Sequence, residues 1–505
     1  MTMENGVGGY YFYDLNAKVN WDFNDKNKLY LSGYFGRDKF YMKYQDSWSS
    51  LNSEYNSGFF WQNATATLRW NHLFNTKLFN NTSLIYSNYN LNLYEEYKGD
   101  VDFYKLRYLS GIRDFSLKTD FNYFPNPNHY IRYGLLATYH QFKPSALTVN
   151  ASLPEENMEE ITTIGSFETG VYVEDEAKFG AHFRLNPGLR LSSFSAKNKT
   201  YFGIEPRLNS SYILDDVRSV KASFAMMNQY IHLLSNTGLG LPTDLWVPST
   251  DNIKPQSSTQ VAIGFAQDIP AFNLTFTVES YYKWMNNIVG YKEGASFLIF
   301  DDPETANDMA WEENITAGKG TSYGIEFLLQ RKQGKFSGWI GYTLSWTKNQ
   351  FPELNFGKEF YANYDRRHDL SVVGIYEINK HITLSATWVY ASGNPTTIPT
   401  ATYMPTQHSF GNPTYMPWNY MVSDYGERNS FRMSAYHRFD LSLQFHKQIR
   451  LGMRTFEIGI YNLYNRKNPF FYFLDTDYSN GVQTNIMKQV TLFPIIPSFT
   501  YSIKF

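Results

Sequence analysis

Residues Ile382–Tyr390 read ITLSATWVY. Ile382, Leu384, Ala386, Trp388 and Tyr390 alternate with Thr383, Ser385, Thr387 and Val389. A period of two sends successive side chains to opposite faces, so this stretch is a strand with one aromatic, apolar face. The pattern recurs along the chain. Phe439, Leu441, Leu443 and Phe445 alternate with Arg438, Asp440, Ser442, Gln444 and His446. Ile340, Tyr342, Leu344 and Trp346 alternate with Gly341, Thr343, Ser345 and Thr347. Phe272, Leu274, Phe276 and Val278 alternate with Asn273, Thr275, Thr277 and Glu279. One face is greasy, the other polar and often charged.

A soluble sandwich shows the same alternation. Two features point elsewhere. The alternating segments run for roughly 11–18 residues, against about 5–6 for a typical globular strand. The links between them also alternate in length. Short links fall at Asn24–Lys28, Leu73–Lys77, Phe121–His129, Gly180–Phe183, Asp215–Arg218, Asp268–Phe272, Lys332–Lys335, Asn379–His381 and Lys447–Gly452. Mostly longer links lie between them: Tyr44–Gly58, Glu95–Asp102, Ala146–Gly165, Ser195–Thr200, Leu233–Pro255, Tyr291–Thr321, Phe351–Asn363, Asn394–Ser430 and Arg466–Gln483. Short periplasmic turns, long outer loops and strands that are apolar outside and polar inside define a transmembrane β-barrel. The reading is an all-β, antiparallel outer-membrane barrel of about 19 strands spanning the whole chain.

Composition agrees. The 505 residues include 41 Tyr, 40 Phe and 11 Trp, and aromatics make up 18% of the chain. Such residues form interfacial girdles in barrels and are too apolar to stay solvated in a disordered chain. Mean hydropathy is −0.44, and no apolar run reaches the ~18 residues a membrane helix needs. A net charge of −2 argues against nucleic-acid binding, which calls for a basic patch. Zero cysteines exclude disulfides, thiolate catalysis and Cys-ligated metal centres. No cofactor is indicated. No Gly-x-Ser-x-Gly, His-Glu-x-x-His or phosphate loop occurs, so the reading is not an enzyme.

The ends carry information too. Met1–Gly9 (MTMENGVGG) is polar and lacks the basic and apolar regions of a secretory signal. With about 19 strands the count is odd, whereas bacterial single-chain barrels are even. Both points lead to the expectation that N-terminal sequence precedes this chain. At the other end Tyr501, Ile503 and Phe505 alternate with Thr500, Ser502 and Lys504. A final amphipathic strand closing on an aromatic residue is the expected signal for the barrel-assembly machinery.

Several stretches together resemble the barrel of TonB-dependent receptors, in the form common among Bacteroidetes-type bacteria. They are Tyr30–Tyr41 (YLSGYFGRDKFY), Gly188–Leu214, Met227–Gln256, Tyr364–Leu370 (YDRRHDL), Ile460–Phe471 (IYNLYNRKNPFF) and Lys488–Phe505. The resemblance implies a barrel of about 22 strands around a plugged lumen. It implies an outer-membrane protein of a Gram-negative bacterium that takes up a scarce nutrient: siderophore, haem, cobalamin, oligosaccharide or peptide. It implies as partners the lipid, a plug domain, the TonB energy-coupling complex and a small ligand. The plug and first strands have no counterpart in the sequence, and Gly8–Asn24 falls at roughly the fourth strand of the family. A passive channel or truncated barrel is the alternative.

The polar set of each strand is expected to face the lumen, including Glu174, Glu176, Lys178, Glu205, Arg207, Glu279, Lys283, Asp369, Arg438 and Asp440. Facing lipid, such charges would cost about 2–4 kcal/mol each for Arg or Lys at the midplane. These residues either contact a plug and substrate or form a solvated wall. Loop candidates for ligand contact are Asp244, Trp246 and Asp251, stiffened by two prolines, and Tyr415, Trp418, Tyr420 and Tyr425 among five prolines. The plainer reading of both loops is packing on their neighbours. Phe300–Asn314 is acidic, with Glu312 and Glu313 at its end, and reads as a solvated loop or a cation site. Asp475–Gly481 only superficially resembles a calcium loop, since Asn480 and Ile486 stand where Gly and Glu are required. His437 and His446 lie nine apart on one strand and so face opposite ways. No metal site follows. Arg366, Arg367 and His368 read as the rim of a strand.

Overall fold

The structure is a computed structural model. It describes residues 2–3, 6–46, 53–100, 102–152, 158–234, 245–293, 311–403, 422–450, 452–477 and 484–505. One sheet of 21 strands dominates it. Two of these, Thr2–Met3 and Phe360–Tyr361, are two-residue additions. The other nineteen form the wall and pair antiparallel in chain order.

In order the wall strands are β1 (Gly6–Asn24), β2 (Asn27–Asp46), β3 (Ser53–Asn75), β4 (Leu78–Lys98), β5 (Phe103–Asn126), β6 (His129–Ala151) and β7 (Met158–Phe179). Next come β8 (Phe183–Ala196), β9 (Lys199–Ile213), β10 (Arg218–Gln229), β11 (Gln256–Ile269), β12 (Leu274–Tyr291) and β13 (Ile315–Arg331). The last are β14 (Phe336–Gln350), β15 (His368–Asn379), β16 (Ile382–Ala391), β17 (Tyr436–Ile449), β18 (Gly452–Tyr461) and β19 (Ile496–Lys504). Such a sheet, right-twisted throughout, curls into a barrel. Among the described residues no ladder joins β1 to β19.

The apolar residues line up across strands. Leu31, Leu68, Leu84 and Leu117 sit directly opposite one another on β2–β5, and all four are exposed. Val171, Leu191 and Ile204 continue such a row on β7–β9 and are equally exposed. Rows of exposed leucine and valine on a barrel's outside suit hydrocarbon rather than water. Level with these rows, Asp114, Lys118, Glu168 and Arg190 are offset by an odd number of residues and so fall on the opposite face.

The eight short links that lie wholly within the described residues are tight turns, Pro270–Phe272 being a single 3-10 turn. Asn24, Asn75, Asn126, Asp215 and Asn379 each accept backbone N–H bonds two residues on, the Asx geometry that reverses a chain in few residues. At the opposite end four of the expected long links are short, two of them, from Asp46 to Ser53 and from Ala151 to Met158, leaving six residues each. Lys197–Asn198 is a two-residue turn, and Gly99–Asp102 spans four residues. For the links within β2–β7 the reason is that these strands run for 20–24 residues, longer than the pattern suggests. Tyr and Glu side chains at Tyr94–Tyr97 continue the ladder beyond the apolar band. Five genuinely long links remain at this end: 230–255, 292–314, 351–367, 392–435 and 462–495.

Candidate functional site

The 230–255 link does not simply arch outward. It forms a hairpin, Ile231–Leu234 paired with Leu245–Pro248. Its second strand packs against β5 and β6, and its first against β12. Those wall strands are far apart in the sheet order, so the hairpin crosses the interior at the long-link end.

Alternation within the hairpin explains the placement. His232, Leu234, Leu245 and Val247 form a buried face, packed with Ile253, Tyr291 and Ile315. Ile231, Leu233 and Trp246 point the other way and roof a cavity of about 710 Å³. Asn63, Tyr89 and Ile112 from β3–β5 line its far side, and Asp114 and Glu168 lie at its floor. Asn228, Gln229 and Tyr230 close it where the hairpin leaves β10.

The floor is a network spanning five strands. Asp114 on β5 stands opposite His140 on β6. His140 Nδ1 is 2.7 Å from the Asp114 carboxylate, and its Nε2 is 3.7 Å from Glu168 on β7. Arg190 on β8 donates to Glu168 at 3.1 Å. Ser192 donates to Glu205 on β9 at 2.6 Å and lies 2.8 Å from the Tyr230 hydroxyl. Gly203 makes this approach possible, because a Cβ there would meet Ser192 Oγ at 2.5 Å and Tyr230 Oη at 2.7 Å. Tyr230 also stacks on Phe194, ring centroids 5.1 Å apart and planes 2° from parallel. Its carbonyl accepts the Ser249 N–H at 2.8 Å, anchoring both ends of the hairpin to the wall.

The expected site residues distribute as follows. Trp246 lines the cavity. Asp251 is exposed beside the hairpin and does not line it. Asp244, Tyr415, Trp418 and Tyr420 lie outside the described residues. Tyr425 is exposed on a separate short hairpin, Pro399–Tyr403 with Val422–Tyr425. Glu205 joins the floor network and is buried. Glu174 pairs with Arg132 at 2.6 Å, and Arg207 packs beside it over Gly188. Glu176 and Lys178 line a second cavity of about 530 Å³ near the turns. Glu279 stands opposite Glu326, and Lys283 opposite Ser322, away from the main cavity. Arg438 pairs with Asp440 at 2.8 Å and lies 4.4 Å from the Tyr461 ring centroid.

Tyr501 and Phe505 are exposed on or beside β19, and Ile503 is half-buried there. Sequence reasoning missed Asp114, His140, Glu168, Arg190 and Tyr230. Asp114 and Glu168 do show the right alternation, but the cross-strand register that gathers them is not written in any one strand.

The remaining links tie to one another. Glu312 accepts from Lys197 at 2.8 Å and Asn252 at 2.7 Å. Burial disfavours its charge, but these partners hold the carboxyl below its ordinary range. Among the described part of the acidic loop, this is a strut rather than a cation site. Asp301, Asp302, Glu304 and Asp308 lie outside the described residues. Asp475 pairs with Lys488 across a hairpin, and residues 478–481 lie outside the described set. Asp365 is buried and pairs with Arg432 and Arg367. It also accepts the Thr347 N–H at 2.6 Å. Lys358 reaches Glu427 at 3.0 Å, and the Arg428 N–H reaches Asn355 at 2.8 Å. These bonds join the 351–367 and 392–435 links.

A barrel wall with an apolar outside and long links at one end is the architecture of a transmembrane β-barrel of outer-membrane type. The comparisons agree. The family model for the TonB dependent receptor-like β-barrel matches residues 2–463, and the chain belongs to that family. Its members are transporters and receptors rather than enzymes.

Three solved structures share the fold. The ferric citrate transporter FecA, unliganded, has a TM-score of 0.58 at 12% identity, covering 99% of this chain and 78% of its own. The outer membrane transporter YddB from Escherichia coli gives 0.58 at 12%, covering 99% and 76%. The ferric preacinetobactin receptor BauA from Acinetobacter baumannii gives 0.57 at 10%, covering 98% and 79%. No curated sequence matches.

Proposed function

We propose that the chain is the barrel of a receptor in the Gram-negative outer membrane that takes up a scarce nutrient by TonB-dependent transport. The observation that carries this reading is the in-folded hairpin. It encloses a cavity of about 710 Å³ against the charged inner face, at the end where the long links gather. A passive pore has no use for such a chamber. Ligand would enter past the long links and meet Trp246 first. The inner-face charges Glu174, Glu205, Arg207, Glu279, Lys283, Arg438 and Asp440 would face a plug domain, which the energy-coupling complex displaces. Tyr501, Ile503 and Phe505 would present the final strand to the barrel-assembly machinery. Siderophore or other iron-complex cargo fits the roles of structural neighbours, among them a ferric citrate transporter and a ferric preacinetobactin receptor.

The test is uptake. Cells making the protein are offered labelled ferric siderophores, haem, cobalamin, oligosaccharides and peptides, with and without functional TonB. Uptake of one class that vanishes without TonB supports the reading. TonB-independent permeation of small solutes in its place would establish a passive channel.

A further inference from the structure

The chemistry of the cavity narrows the ligand class, an inference that rests on the receptor reading above. Its floor presents two carboxylates, Asp114 and Glu168. Among the described residues none that line it is a lysine or arginine. The counter-ions stand behind the floor: His140 meets Asp114 through one carboxylate oxygen, and Arg190 meets Glu168 likewise. Each carboxylate has acceptor capacity for about four hydrogen bonds, so both retain it towards the cavity.

His140 Nε2 is buried and, among the described residues, makes no hydrogen bond. It faces Glu168 at 3.7 Å. Above the floor stand three aromatic side chains, Tyr89, Tyr230 and Trp246. Carboxylates below aromatic faces are the surroundings that stabilise a cation, by charge from one side and ring quadrupole from the other. An anion would face two like charges with no compensating cation in the lining.

We propose that this cavity binds an amphipathic cation: a protonated amine or guanidinium carried on an aromatic or branched aliphatic body. The charged group sits between Asp114 and Glu168, and the body lies against Trp246 and Ile112.

The experiment uses outer-membrane vesicles from cells that make the chain, with vesicles lacking it as the blank. Saturation-transfer NMR measures binding of tyramine, a cation, and of 3-(4-hydroxyphenyl)propionate, an anion of matched size. Tyramine is expected to bind at least about tenfold tighter, a difference of about 1.4 kcal/mol. The double variant D114N/E168Q should abolish that preference. W246A should weaken both probes together.

E279Q is the control, because Glu279 stands opposite Glu326 on the far wall and does not line the cavity; it should leave the ratio unchanged. Heat-modifiable migration of each variant in gels verifies folding. Equal or tighter binding of the propionate overturns the proposal. So does an unchanged ratio in folded D114N/E168Q, or the absence of binding by either probe. TonB-dependent uptake of another ligand class alongside any of these would leave the receptor reading standing and remove only the cation.

Discussion

His140 on β6 and Asp114 on β5 stand directly opposite in register, with Nδ1 2.7 Å from the carboxylate. Both sit on the inner face, and His140 is buried. The imidazole also separates Asp114 from Glu168, its second neighbour at 3.7 Å. His140→Phe keeps the ring volume but leaves two carboxylates without their common partner. A loss of about 1.5–3 kcal/mol is expected, the range for hydrogen bonds to charged groups. Urea unfolding in detergent measures it. Asp114→Ala in the same background should add much less than it costs alone, because the interaction is already gone. Full additivity would mean the two residues do not cooperate.

The buried Asp365 pairs with the half-buried Arg432, 67 residues away in sequence. Arg432 also lies over the Tyr361 ring, 5.1 Å from its centroid, and Arg367 over Trp346 at 4.7 Å. Removing the Asp365 carboxylate leaves the Thr347 N–H and two guanidinium groups without it, at about 1.5–3 kcal/mol, the range for hydrogen bonds to charged groups. Asp365→Ala should cost about that much and release the 392–435 link first. Limited proteolysis should then cut within that link before any wall strand. A variant with wild-type stability and cleavage pattern would show the pair to be ornamental.

His232 makes the hairpin sensitive to acid. Burial pushes its imidazole down to about 4. Nε2 is 3.0 Å from Ser249 Oγ, and Nδ1 is buried and, among the described residues, makes no hydrogen bond. The open hairpin would bind a proton near the ordinary value of about 6.5, and the closed one resists it. The closed state is therefore fully stabilised above pH ~6.5 and loses that stability as pH falls towards 4, by up to about 3 kcal/mol.

The chain has no cysteine, so Leu233→Cys supplies a unique thiol on the roof. Its maleimide labelling, normalised to an exposed Phe356→Cys reference, should accelerate between pH 6.5 and 4. His232→Leu should flatten that profile. Acceleration that persists in the leucine variant would place the acid sensor elsewhere.

The edges of the sheet give a fourth expectation. β1 pairs with β2 along one side, and β19 with β18. Most of β1 is exposed on both faces, including Phe12, Leu15, Val19 and Trp21. Unpaired backbone groups on a strand edge are not protected by a ladder. In hydrogen-exchange measurements on vesicles, the outer-edge amides of β1 and β19 should exchange far faster than those of β4–β7. Equal protection would require strands from elsewhere to be paired there.

Much of this architecture is visible in single strands. The alternation at Ile382–Tyr390 and Phe439–His446 defines β16 and β17, and the tight turns announce themselves mostly through Asn, Asp and Gly. The count of about nineteen wall strands also follows from pattern alone. What pattern does not contain is register. Asp114, His140 and Glu168 meet only because β5, β6 and β7 pair in one particular alignment. A slip of one residue on any of them would send its side chain to the lipid.

Trp246 was legible as an aromatic in a stiffened loop, but its direction was not. That depends on the buried face of His232, Leu234, Leu245 and Val247 finding Tyr291 and Ile315, residues far along the chain. Local sequence specifies strands; their partners specify the chamber.

The two faces of β5 offer the most direct check of orientation. Leu117 lies mid-strand on the exposed apolar row. Lys118, the next residue, points to the other face and pairs with Asp120 at 3.0 Å. If the apolar row meets lipid, Leu117→Lys places an ammonium in hydrocarbon and should cost about 2–4 kcal/mol. Lys118→Leu removes only a half-exposed ion pair on the wet side and should cost less than about 1 kcal/mol. Refolding into lipid vesicles at graded urea concentrations distinguishes the two. The same comparison in a water-filled reading of both faces would make the substitutions nearly equal, since neither would then desolvate a charge. An asymmetry of several kcal/mol is the signature of a wall with hydrocarbon on one side only, and its reversal would turn the barrel inside out.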